Sequence, residues 1–154
     1  MQPGWCLRID DMRILAVDTG SKHIGLALSD PSGTIANPLT ILNHVSQLVD
    51  ATAVADLAAS NQVGLIVIGQ SLDDDGSPTF EGRRAARFAK TLKVLTGAPV
   101  VLWDEAFTTY EARTTRLQMG VSRKKRSGHL DSLAATLLLQ SYIDVGYEKK
   151  SEKS

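Results

Sequence analysis

Arg13 to Asp30, RILAVDTGSKHIGLALSD, is the stretch from which the fold is read. Arg13 to Val17 is mostly apolar and β-compatible, and the acid Asp18 follows directly. A short polar turn comes next, Thr19-Gly20-Ser21-Lys22, and then a second strand-like run, His23 to Ser29, with Ile24, Leu26 and Leu28 alternating. Two such runs joined by a short Gly-containing turn predict an antiparallel hairpin. The nearly continuous apolar character of the first run predicts a central strand. Asp is depleted in strands, so Asp18 at the end of a central strand points to a metal ligand or a reacting group. The alternative is a local role, with Asp18 capping the turn through its own backbone.

Beyond the hairpin, Pro31-Ser32-Gly33 is a turn, and Thr34 to Leu42 reads as a third strand that Pro38 restricts to an edge or a bulge. Ser46 to Ser60 carries Leu48, Val49, Thr52, Ala55 and Ala59 at helical spacing. Val63 to Gly69, VGLIVIG, suits a buried parallel strand. The Asp73-Asp74-Asp75 triplet lies in a loop that does not fit an EF-hand. With Gly76 at its sixth position, Ser71 and Gly82 fall where the first and last ligands belong. Phe80 to Leu95 is an amphipathic helix whose outer face carries Arg83, Arg84, Arg87 and Lys90. Val100 to Trp103 is a strand ending at Asp104-Glu105. Thr108 opens a capping box with Glu111 and a helix running to Met119. Arg123-Lys124-Lys125-Arg126 is a basic loop, and Leu130 to Val145 is the last helix. The order β-β-β-α-β-α-β-α-α predicts an α/β fold. Three antiparallel strands precede two parallel ones in a mixed five-stranded sheet flanked by helices.

At 154 residues and 43% hydrophobic content, the length suits one domain with a proper core. We expect that domain over residues 12–145. Residues 1–11 are read as a disordered extension or a non-native start upstream of Met12, and residues 146–154 as a charged flexible tail. No apolar run approaches the roughly 18 residues of a membrane helix, and no signal-peptide pattern opens the chain. The lone Cys6 excludes an internal disulfide and a Cys-based zinc site. A cytoplasmic protein with no membrane partner is expected. The zero net charge conceals an asymmetry. Up to Phe80 there are three basic and nine acidic residues; beyond it there are fourteen basic and eight acidic. That balance argues against indiscriminate polyanion binding but permits a directed basic patch.

Three acids stand in comparable places. Asp18 ends the first strand, Glu105 lies just past the strand Val100 to Trp103, and Asp131 lies in the first turn of the last helix. Ligands of open α/β sheets gather at the carboxyl ends of strands. Three converging carboxylates repel one another, and a divalent cation relieves that repulsion. Magnesium or manganese, as one or two ions, prefers such oxygen ligands and serves phosphoryl-transfer chemistry. Each acid also has a plain alternative. Asp131 favours a helix N-terminus electrostatically, and Asp104 and Glu105 are otherwise solvated loop charges. Strand alternation lets only one of Asp104 and Glu105 face a site.

The chain resembles the YqgF/RuvX family, an RNase H-like group related to the Holliday-junction resolvase RuvC. Three stretches carry the resemblance: Ala16 to Asp30, Asp104 to Ala112, and the basic loop followed by Asp131-Ser132-Leu133-Ala134-Ala135 through Tyr142. It covers Met12 to about Val145. The resemblance implies an RNase H-like fold and a metal-dependent nuclease with Asp18, Glu105 and Asp131 as catalytic and metal-binding acids. It implies a role in trimming the 5′ end of pre-16S rRNA. The chain departs from the family pattern at His23 and Ala106, which stand where Arg is usual, and at Gln70-Ser71, which replace an apolar-Pro pair. A lost guanidinium removes bidentate phosphate contacts, so the departures bear on substrate grip more than on metal binding.

Nucleic acid is the expected partner. Lys22 and the loop Arg123, Lys124, Lys125 and Arg126 are the candidate phosphate contacts; the alternative is a solvated basic loop. Structured RNA and branched DNA expose the same phosphodiesters, and no base-reading motif separates them. A junction resolvase would require a dimer, whereas RNA-end trimming would not. With eight aromatic residues in all, an extended base-stacking platform is not expected. Other readings are a non-catalytic nucleic-acid-binding protein of the same fold, and an actin-like ATPase, for whose second lobe the chain is too short.

Overall fold

In the computed structural model, which describes residues 12–105 and 133–145, the opening stretch forms the expected hairpin. Strand β1 (Arg13–Thr19) pairs antiparallel with β2 (His23–Ser29). The turn is tight. Gly20 donates its N–H to the His23 carbonyl at 3.0 Å, and a Cβ on residue 20 would stand 2.5 Å from that oxygen. Only glycine tolerates such an approach.

Three further strands, β3 (Ala36–Asn43), β4 (Val63–Gln70) and β5 (Val100–Asp104), complete a five-stranded sheet in the order β3-β2-β1-β4-β5. Strand β1 is central, antiparallel to β2 and parallel to β4, and β5 continues the parallel half. The mixed sheet is the one expected from the element order. Pro38 lies on the edge strand, where the register with β2 shifts between Leu26 and Ala27; a residue without an N–H fits both features. At the start of β1 a side chain replaces a ladder bond. Ile14 donates its N–H to the buried Ser29 Oγ at 2.8 Å. Next to it, Asp30 ties the β2–β3 loop by accepting the N–H groups of Thr34 and Ile35. Bonds from Ser32 and these backbone groups hold its carboxyl well below the ordinary value. The Ser29-Asp30 pair therefore acts structurally.

Alternation divides the sheet into two apolar faces. Leu15, Val17, Leu26, Ile66 and Ile68 face helices α1 (Gln47–Ser60) and α2 (Phe80–Leu95), joined by Val54, Phe88 and Leu92. Ile14, Ala16, Ala27 and Val67 face helix α3 (residues 133–145), which contributes Ala135, Leu138, Leu139 and Ile143. Each fully buried Leu or Ile contributes about 1.5–3 kcal/mol.

Two side chains clamp α3 across the sheet. Gln140 accepts the Ala36 N–H at 3.0 Å and donates to the Thr34 carbonyl at 3.2 Å, at the β3 edge. On the other side Trp103 donates its indole N–H to Ser141 Oγ at 3.3 Å and meets Tyr142 edge to face.

The spacing in α1 is corrected by the structure. Its buried residues are Asp50, Ala51, Val54 and Ala58, whereas Leu48 and Val49 are exposed. The inward stripe is thus rotated from the one read off Leu48, Val49, Thr52, Ala55 and Ala59. The cause is the buried carboxylate of Asp50, which accepts the Val45 N–H at 3.0 Å and bonds His44 Nδ1. The Gln70-Ser71 departure also has a structural use. Gln70 Nε2 donates to the Gly82 carbonyl and the Ser71 carbonyl accepts the Thr79 N–H, pinning the start of α2 to the end of β4. The expected helix Thr108 to Met119, the start of the last helix at Leu130, and residues 1–11 and 146–154 lie outside the described residues. Among the described residues no helix is long and apolar enough to cross a membrane.

Candidate active site

Asp18 has the parity of Ile14 and Ala16, so it emerges on the face covered by α3. The residues directly beside it on that face are glycines. Across the hairpin it pairs with Gly25. On β4, one step beyond the pair Val17–Ile68, comes Gly69. Asp18 thus projects between two glycines at the end of the central strand.

Glu105 arrives from the other side. Val101 and Trp103 pack into the α3 cluster, and Glu105 keeps their parity. It follows β5 directly, held by its N–H donating to the Gln70 carbonyl at 3.0 Å. Its side chain lies over Gly69: a Cβ on residue 69 would meet Glu105 Oε1 at 3.1 Å and Glu105 Cγ at 3.2 Å, with Leu138 of α3 at 3.1 Å. Because β4 separates β1 from β5, the bare backbone of Gly69 is what lets the two acids meet. The carboxyls of Asp18 and Glu105 share a hydrogen bond. Asp104, the preceding residue, has the opposite parity.

Burial pushes the Glu105 carboxyl above its ordinary value of 4.5; the hydrogen bond with Asp18 opposes this, and the charges of Glu81 and Asp104 reinforce it. The sign of the linked stability follows. Folded Glu105 keeps its proton to a higher pH than unfolded Glu105. Stability therefore falls as pH rises from 4.5 through the raised folded value. In EDTA, Glu105→Gln is expected to melt above the wild type at pH 7.5, with the gap closing by pH 4. Thermal melts across that range check it, and a variant destabilised equally at every pH counts against the assignment.

Asp131 and Arg123 to Arg126 lie outside the described residues. Lys22 is exposed at the hairpin tip, beside the end of β1 that carries Asp18. Among the described residues no group of three or more His, Cys, Asp or Glu is placed to hold a metal ion. The described donor set is the Asp18–Glu105 pair. It consists of oxygens alone, and it fits a hard divalent cation rather than a soft one. Reading the sequence by residue type did not single out Gly69. A glycine within an otherwise apolar strand run was its signal, since such a glycine marks close approach.

A relative from Syntrophus aciditrophicus (strain SB) that bears a pre-16S rRNA nuclease name is 42% identical over 139 residues, covering 90% of this chain and 93% of its own. One from Thermoanaerobacter pseudethanolicus with the same name is 39% identical over 134 residues, covering 86% and 96%. Among solved structures, Thermus thermophilus RuvC in complex with a Holliday-junction substrate superposes with a TM-score of 0.55 at 18% identity. It covers 88% of this chain and 96% of that one. The fowlpox virus resolvase in complex with Holliday-junction DNA gives 0.53 at 15%, covering 87% and 98%. These two likenesses establish the fold as that of RuvC-like resolvases, within the RNase H-like group. The family model described as RuvX, Holliday junction resolvase, matches residues 12–145, and the chain therefore belongs to the RuvX family.

Proposed function

We propose that this protein is a metal-dependent nuclease that hydrolyses phosphodiester bonds of RNA, acting in the 5′-end processing of pre-16S rRNA. The observation that carries the reading is the meeting of Asp18 and Glu105 over Gly69, at the carboxyl ends of parallel strands. The chain's 42% identity to a relative with a pre-16S rRNA nuclease name supports the choice of substrate. Asp18 and Glu105, with Asp131, would hold magnesium or manganese, which when bound supplies Lewis-acid stabilisation of the phosphoryl oxygens and an activated water.

The chain's own groups do the rest. The carboxylate oxygens of Asp18 and Glu105 would hold that ion at the ends of β1 and β5, facing the scissile phosphate. The half-burial of Glu105 limits bulk water, which strengthens each electrostatic contact. Lys22, exposed at the hairpin tip, and Arg123, Lys124, Lys125 and Arg126 are the proposed backbone grips.

A second reading, resolution of branched DNA, is favoured by the description of the matching family model. One experiment separates the two. The full chain is incubated with magnesium and either a 5′-extended 16S precursor transcript or a synthetic four-way DNA junction. Cleavage of the transcript with the junction intact is the expected result. Junction cleavage alone would move the assignment to DNA. Binding without cutting of either substrate, in magnesium and in manganese, would leave a non-catalytic binding protein.

A further inference from the structure

A cavity of about 280 Å³ opens between the β1–β2 turn and helices α1 and α2, on the sheet face opposite Asp18. Its walls include Thr19, His44, Ser46, Asp50, Arg84 and Arg87. The charges within it are unevenly matched. Asp50 is only 3% exposed, and its carboxylate is already used by the Val45 N–H and His44 Nδ1. That bond leaves Nε2 as the free polar atom of the half-exposed His44 ring. Arg84 and Arg87 have no ion-pair partner among the described residues, and the Arg84 guanidinium lies over the Phe80 ring at 5.7 Å. Two guanidiniums one helical turn apart repel each other. Around a concave site they favour an anion, and their planar forks match a phosphate in particular. The cavity also sits beside the reaction centre. Thr19 lines it while Asp18, the next residue back, faces the acids, and neighbouring Cα atoms are about 3.8 Å apart.

We infer that this cavity is a phosphate-binding subsite for the nucleic-acid backbone, in which Arg84, Arg87 and His44 grip a phosphate other than the one being cut. The inference rests on the nuclease reading for the identity of the polymer, but not on cleavage. A strand held there and at Asp18 would be fixed at two points straddling the tip of the hairpin. Such positioning aligns the scissile bond without touching it.

The test is fluorescence anisotropy with the full chain, a labelled single-stranded RNA and EDTA, so that binding is read without turnover. Arg84→Gln/Arg87→Gln is expected to lower affinity about tenfold at 0.1 M salt and to flatten the slope of log affinity against log salt by about 0.7–1.4. Arg83→Gln, on the same helix but outside the cavity, is expected to change affinity less than about twofold. A scan with single methylphosphonate linkages locates the gripped phosphate. One neutral linkage should weaken wild-type binding and make no difference to the double variant.

An unchanged affinity and slope in the double variant overturns the subsite, as does a methylphosphonate profile identical in both proteins. Inorganic phosphate provides the second arm. If its binding, followed by NMR shifts of His44, is lost in the double variant while RNA affinity is untouched, the cavity serves a small phosphate compound and the backbone role is overturned. If the subsite behaves as expected but no divalent ion restores cleavage, the subsite stands and the nuclease reading falls.

Discussion

Asp18→Asn is expected to reduce RNA cleavage by on the order of 10³-fold or more while leaving the fold intact. Asn has nearly the same volume and still bonds Glu105 through its amide. Directly beside it on the neighbouring strands stand Gly25 and Gly69. What it lacks is the charge. Calorimetry should record magnesium or manganese binding to the wild type and little to the variant. RNA affinity in EDTA should be equal or slightly higher, because one negative charge has left the phosphate path. A variant that keeps its thermal stability, binds metal like the wild type and cuts at an undiminished rate removes Asp18 from the chemistry. Loss of cutting with metal binding unchanged would instead assign it to the substrate.

Gly69→Ala is expected to cost up to about tenfold in cleavage although residue 69 has no chemistry of its own. The added methyl would stand 3.1 Å from Glu105 Oε1, 3.2 Å from its Cγ and 3.1 Å from Leu138. Those contacts are tighter than ordinary van der Waals separation, so one neighbour yields. Leu138 is 2% exposed and held in the α3 cluster. Glu105 is attached just past the end of a strand and moves more easily. A displacement near 1 Å at a reacting group costs about 10²-fold, and the shift of a few tenths of an ångström that these contacts require costs correspondingly less. The structural cost is smaller, about 1–3 kcal/mol for overpacking. The distinguishing pattern is therefore a modest fall in Tm with a clear fall in cleavage, and a Glu105 carboxyl pushed further above its ordinary value, because the opposing hydrogen bond with Asp18 is weakened. A fully active Gly69→Ala protein would show that the two acids need not meet over β4.

The hairpin was legible because its signals are local. Alternation from Ile24 to Leu28, the Gly20 turn and the apolar run before Asp18 all lie within one stretch of chain. Pro38 announced the edge strand for the same reason, since a missing N–H excludes a central position. The parity of Asp104 and Glu105 was readable as a choice of one. Glu105 was the one named, and the packing of Val101 and Trp103 against α3 gives the face it shares with Asp18. Helix α1 was read with the wrong inward stripe. Leu48 and Val49 are apolar and exposed, while the charged Asp50 is buried. No periodicity of hydrophobic residues finds a carboxylate whose burial is supported by His44 and Val45 from outside the helix.

By itself, then, the sequence determined the strands, their antiparallel or parallel sense and the acids worth watching, because strand period, turn chemistry and residue type are properties of neighbours in the chain. Only the tertiary structure decided that Asp18 and Glu105 touch, that Gly69 is the opening between them, and that Arg84, Arg87 and His44 share one cavity. The residues of each set lie far apart in sequence, and their distances follow from strand order and side-chain parity across the whole sheet. A charge at the end of a strand has no address until the strand beside it is known.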